Sequence, residues 1–158
     1  MFIDSSLELA NAETVDATAD SSLRVVGGID LRGGGGKDGG GAITDNATID
    51  LSAGEPIYVV IEVTTEITGT ATSNFQLNTH TAEQSKGAVI AGTTLFKTGL
   101  SGDNQTVGKR WIFTLPEGGY ARYLHVGHNG DGTAAAGAIS CFITKDVSNW
   151  TSTDTRTE

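Results

Sequence analysis

Apolar and polar residues alternate along most of this chain, with a period of two. Residues 55–66 show it best: Ile57, Val59, Ile61 and Val63 fall on one face, and Tyr58, Val60, Glu62 and Thr64 on the other. Residues 23–31 put Leu23, Val25, Gly27, Ile29 and Leu31 on a single face. Residues 74–80 alternate cleanly, with Phe75, Leu77 and Thr79 inward and Asn74, Gln76, Asn78 and His80 outward. Residues 89–96 give a weaker strand, and residues 109–115 align Trp111, Phe113 and Leu115. Residues 122–128 and 137–144 complete the series, the latter with Ile139, Cys141 and Ile143 inward.

The breaks between these runs are turn chemistry. Pro116-Glu117-Gly118-Gly119 is one turn, and Asn129-Gly130-Asp131-Gly132 is a hairpin signal, because Asn-Gly and Asp-Gly supply positive φ. No segment repeats every 3.6 residues. About eight short strands with little or no helix predict an all-β fold, an antiparallel jelly roll or β-sandwich.

The 158 residues are enough for one domain. Three stretches depart from the strand pattern. Residues 1–21 carry spaced Ile3, Leu7 and Leu9 among polar residues, which suits either an extended arm or a short strand. Residues 33–41, GGGGKDGGG, hold too much glycine to order as regular structure and predict a surface loop. Residues 145–158 form a polar tail relieved only by Val147 and Trp150.

The net charge of −9 argues against a nucleic-acid partner, since phosphate binding draws on clustered Lys and Arg. The basic residues are scattered, and Lys109-Arg110 is their one adjacent pair. No run approaches the ~18 apolar residues that span a bilayer. The opening Met1-Phe2-Ile3-Asp4 lacks the basic and apolar regions of a signal peptide, so synthesis in a cytoplasm is expected. The single cysteine, Cys141, excludes an intrachain disulfide and reads as a small buried hydrophobe.

Chemical motifs are few, and the chain predicts no catalytic, cofactor or metal residues. Gly34, Gly36 and Gly39 match the dinucleotide pattern G-x-G-x-x-G, but that pattern must open a helix and here it leads into ITDNATIDL. A Walker loop is excluded, because Asp38 follows Lys37 where Ser or Thr must stand, and Leu31 replaces the first glycine. His125 and His128, three apart on a strand, point to opposite faces and cannot share a metal without a bulge. With His80 they read as surface or edge histidines. Cys141 and His125 as a nucleophile–base pair lack an orienting carboxylate. Asn129 and Asp131 faintly resemble a calcium loop, without its ligand spacing or terminal Glu. The sequons at Asn46, Asn104 and Asn149 read as chance matches in a Thr-rich chain. Trp111 reads as core, whereas Trp150 either folds back or anchors a partner.

The order of blocks carries a resemblance. Arg122-Tyr123-Leu124, a Gly-rich hairpin, Gly137 through Asp146 (GAISCFITKD) and a tail with Trp150 stand in sequence. Met1-Phe2-Ile3-Asp4 with Leu7, residues 22–31, residues 55–63 (EPIYVVIEV), Phe75-Gln76-Leu77 and Thr94-Leu95-Phe96 precede them. Together they resemble the jelly-roll capsid cement, or decoration, proteins of tailed bacteriophages, the Bordetella-phage type. Residues 33–41 look like an insertion into a shorter loop of that family. The resemblance implies a non-enzymatic virion protein on the outer surface of an icosahedral capsid. It implies bridging of major capsid protein capsomers, and a homodimer, with a trimer as the other possibility. Shell contacts are expected from Met1, Phe2, Ile3, Leu7 and Leu9 of the arm and from Trp150 of the tail. Two other readings stand beside it: a carbohydrate-binding jelly-roll module, which would need exposed aromatics, and a cupin-like enzyme, which would need clustered His and Glu ligands.

Overall fold

The computed structural model describes residues 8–15, 24–31, 49–51, 56–68, 73–97, 105–130 and 136–147. Ten strands run in chain order: β1 Glu8–Thr14, β2 Arg24–Asp30, β3 Ile49–Leu51, β4 Tyr58–Thr68, β5 Ser73–His80, β6 Thr93–Lys97, β7 Arg110–Thr114, β8 Gly118–Tyr120, β9 Tyr123–Gly130 and β10 Ala136–Thr144. No helix occurs among the described residues.

Eight strands build two antiparallel four-stranded sheets. The first has the order β1-β10-β4-β7 and the second β2-β9-β5-β6. β3 and β8 form a small pair of their own. Set the small pair aside, and the chain steps between the sheets at every connection except β5 to β6. That is the jelly-roll strand order, and it protects most edges by wrapping the two sheets around one core. The all-β sandwich expected from the period-two pattern is the fold observed.

The inward positions follow from the pleat. β4 supplies Val59, Ile61 and Val63; β5 supplies Phe75 and Leu77; β10 supplies Ile139, Cys141 and Ile143; β9 supplies Leu124 and Val126. Trp111 of β7 meets the Phe75 ring with centroids 5.3 Å apart. At the β6–β7 side, Phe96 stacks on Phe113 at 4.2 Å across the gap between the sheets. Aromatic pairs in such geometries add about 0.5–1.5 kcal/mol beyond the area they bury.

Of the two alternatives open for the N-terminal stretch, a strand forms over Glu8–Thr14. β1 runs along β10 with two register shifts, and Ala12, within the second, has φ of 49°. Its amide donates to Ser140 Oγ at 3.0 Å, which holds the bulge in place. β1 also lies hard against β2. A Cβ built on Gly27 would stand 2.0 Å from the carbonyl oxygen of Leu9, so the contact requires glycine there.

The weak strand expected over residues 89–96 splits in two. β6 begins only at Thr93, while residues 87–89 bond to the far edge of the second sheet. Gly87 N–H donates to Val25 O at 2.8 Å, Val25 N–H donates to Ala88 O at 2.8 Å, and Arg24 forms a bridge with Val89.

Candidate functional site

Residues 81–92, between β5 and β6, form a strap over the outer face of the second sheet. The strap leaves β5, passes β9, reaches β2 at residues 87–88, and returns to β6. On β9, Leu124 and Val126 face the core, so Tyr123 and His125 face outward beneath the strap. Gln84 N–H donates to His125 Nε2 at 3.1 Å. Gln84 Oε1 accepts from Ala91 N–H at 3.2 Å and closes the strap on itself. Lys86 bonds Glu13 and Thr14 on β1, and Arg24 Nη1 donates to Gly87 O at 3.0 Å. The strap thereby joins β1, β2 and β9.

The histidines differ from expectation. They do point to opposite faces of β9, but neither is on the surface. His125 is 1% exposed because the strap covers it. His128 is 0% exposed because its face meets the core, where its ring lies 5.1 Å from that of Phe75. Asn78, expected to point to solvent, is 2% exposed. The pleat alone could not reveal a long β5–β6 connection folding back over the sheet. His125 sits opposite Gly28 on β2, where a Cβ would come within 2.5 Å of His125 Cδ2, so the missing side chain makes room for the ring. Burial and the neighbouring His80 push the His125 pKa down from 6.5 to about 4, which leaves the ring neutral at pH 7.

Between strap and β1 lies a cleft of about 610 Å³ with β2 as its floor. Arg122 closes one end in a forked pair with Asp30, with Nε 3.1 Å from both carboxylate oxygens and Nη2 2.8 Å from Oδ2. The same guanidinium lies 5.0 Å over the Tyr123 ring, and Tyr123 stacks at 6.1 Å on His125. The Lys86–Glu13 pair stands at the β1 wall. Arg122 thus occupies one face of the Tyr123 ring.

Cys141 and His125 are not brought together. The thiol is 0% exposed among inward residues of the first sheet, whereas His125 faces outward from the second. Burial raises the Cys141 thiol pKa far above its ordinary range, so it behaves as a hydrophobe. Asn129 ends in β9, and Asp131 lies outside the described residues. Among the described residues no three His, Cys, Asp or Glu side chains group as metal ligands.

Of the expected shell contacts, Met1, Phe2, Ile3, Leu7 and Trp150 lie outside the described residues, as does the 33–41 loop. Leu9 is described. It sits 3% exposed in the core rather than on a projecting arm, because β1 docks on β10 and β2.

Comparison with known proteins adds one match. A family model, Bbp16, covers residues 40–143, about two thirds of the chain and every element from β3 to nearly the end of β10. The chain belongs to the Bbp16 family. Membership is consistent with the Bordetella-phage resemblance and makes this a phage-related β-sandwich protein. No curated protein matches the chain.

Proposed function

We propose that this Bbp16-family protein is a cement, or decoration, protein of a tailed-phage head. It binds the outer surface of the expanded icosahedral shell, bridges neighbouring capsomers of the major capsid protein, and stabilises the head without catalysing a reaction. The observation that carries the reading is the family match laid over a complete jelly roll. The net charge of −9 suits a protein that stays soluble at high copy number until it finds a lattice. Many modest contacts on one shell then act together, since neighbouring attachments raise the effective concentration of the next. In this reading a homodimer, or a trimer, sits between capsomers, and the residues before β1 together with Trp150 make the shell contacts.

Co-sedimentation tests it. Purified protein is mixed with mature expanded heads and, separately, with unexpanded proheads. The expected result is saturable binding to expanded heads alone, at a stoichiometry fixed by the lattice. Equal binding to both particles, or binding to neither, overturns the proposal.

A further inference from the structure

The geometry points to the β5–β6 strap as an acid-released clasp: the neutral His125 imidazole holds it shut, and protonation of that ring frees it from the second sheet. This inference is independent of the head-decoration reading.

The chemistry begins with the direction of one hydrogen bond. Gln84 N–H donates to His125 Nε2, so in the neutral ring the proton sits on Nδ1. Nδ1 is buried and has no protein partner, and Asn78 Oδ1, directly across the β5–β9 pair, is in the same condition. A second proton would have to enter at Nε2, where it would face a backbone donor instead of an acceptor. The resulting imidazolium would be 1% exposed with neither N–H accepted. Burying such a charge is unfavourable, so uptake of the proton and departure of the strap go together.

The groups around the ring do not offset that charge. On β9 the neighbour is Tyr123, stacked at 6.1 Å. On β2 the position opposite is Gly28, and the nearby Asp30 is engaged in the fork with Arg122. Burial lowers the His125 pKa, and the neighbouring His80 on β5 lowers it further. On the strap, Lys86 is paired with Glu13 of β1, and Glu83 lines the cleft. Arg24 is bonded to the strap carbonyl of Gly87. The other anchors are two backbone bonds to Val25, the Arg24 bond to Gly87 O, and Lys86 on Glu13 and Thr14, where the ion pair is exposed enough to be weak. Loss of the His125 bond removes the anchor that ties the strap to β9 at Gln84.

Residue-resolved amide exchange by NMR tests the clasp, at pH 7 and at pH 4.5 after correction for intrinsic rates. In the wild type, protection of the Gln84, Gly87 and Ala88 amides is expected to fall at least about tenfold, the equivalent of one pKa unit of coupling, while β4 and β10 stay protected. His125→Gln replaces the ring by an acceptor that does not titrate, and should hold that protection within about twofold. Glu13→Gln separates the carboxylate anchor, and its loss of protection at pH 4.5 should match the wild type. The nitrogen shifts of the wild-type His125 ring give a readout that needs no variant. They should report a proton on Nδ1 and a bare Nε2 at pH 5.5. A ring that titrates near 6.5 with the Gln84 amide still protected overturns the clasp, as does an equal loss of protection in a folded His125→Gln protein.

Discussion

Replacing Gly27 by Ala should strip β1 from the sandwich. The added Cβ would lie 2.0 Å from Leu9 O, 3.1 Å from Leu9 C and 3.2 Å from Ala10 Cβ. Two of these atoms are backbone, so no rotamer change relieves the overlap. β1 must retreat by more than 1 Å, since an ordinary carbon–oxygen contact needs roughly 3.3 Å or more. Overpacking alone costs about 1–3 kcal/mol. Retreat also loosens Leu9 and Ala10, both in the core, and full exposure of a leucine costs about 1.5–3 kcal/mol. A loss near 3 kcal/mol follows, out of the 5–15 kcal/mol typical of a domain. Urea unfolding measures it, with amide exchange in β1 as the local readout. Gly108→Ala is the control: φ is +83° there and nothing stands within 4 Å of a new Cβ, so backbone strain alone operates, at about 1 kcal/mol. A Gly27→Ala loss below about 1 kcal/mol, with β1 amides as protected as before, would refute the close approach of β1 to β2.

Stability should also depend on pH through His125. Its folded pKa of about 4 lies below the unfolded 6.5, so the unfolded chain binds the proton first. The full stability is present above pH 6.5, is lost as pH falls towards 4, and the loss levels off at about 3 kcal/mol, which urea midpoints across pH 7 to 4 would record and which His125→Gln should abolish. Ala12→Gly should stabilise the protein by about 0.5–1 kcal/mol, because Ala12 holds φ of 49° in the β1 bulge and glycine accepts that conformation freely; a raised unfolding midpoint checks it. The Cys141 thiol should resist an aromatic disulfide reagent at pH 8 in the folded protein and react completely in denaturant, as a fully buried thiol with a raised pKa must.

The inter-sheet core was legible because it rests on local alternation. Val59, Ile61 and Val63, Phe75 and Leu77, and Ile139, Cys141 and Ile143 all point where the period of two puts them. Long-range cover was not legible. Asn78 and His125 are polar residues that alternation turns outward, yet both are buried, His125 beneath the strap; His128, read as a surface or edge histidine, lies on the inward face and is buried by the core. Two signals point to this cover: Gly28, which yields room to the His125 ring, and the 12 residues between β5 and β6, too many for a tight hairpin. Gly27 fell within the alternation of β2, and nothing local marked its contact with Leu9, some 18 residues earlier in the chain. The candidate shell contacts rest on the resemblance, apart from Leu9, which joins the core as part of β1.

The most direct test of the decoration reading is a cryo-electron-microscopy reconstruction of expanded heads saturated with the protein. The account predicts extra density on the outer surface, repeated at equivalent lattice positions between capsomers, into which the two-sheet jelly roll fits with chain ends against the shell. Heads free of added density, or density confined to the interior or to the portal vertex, would contradict it.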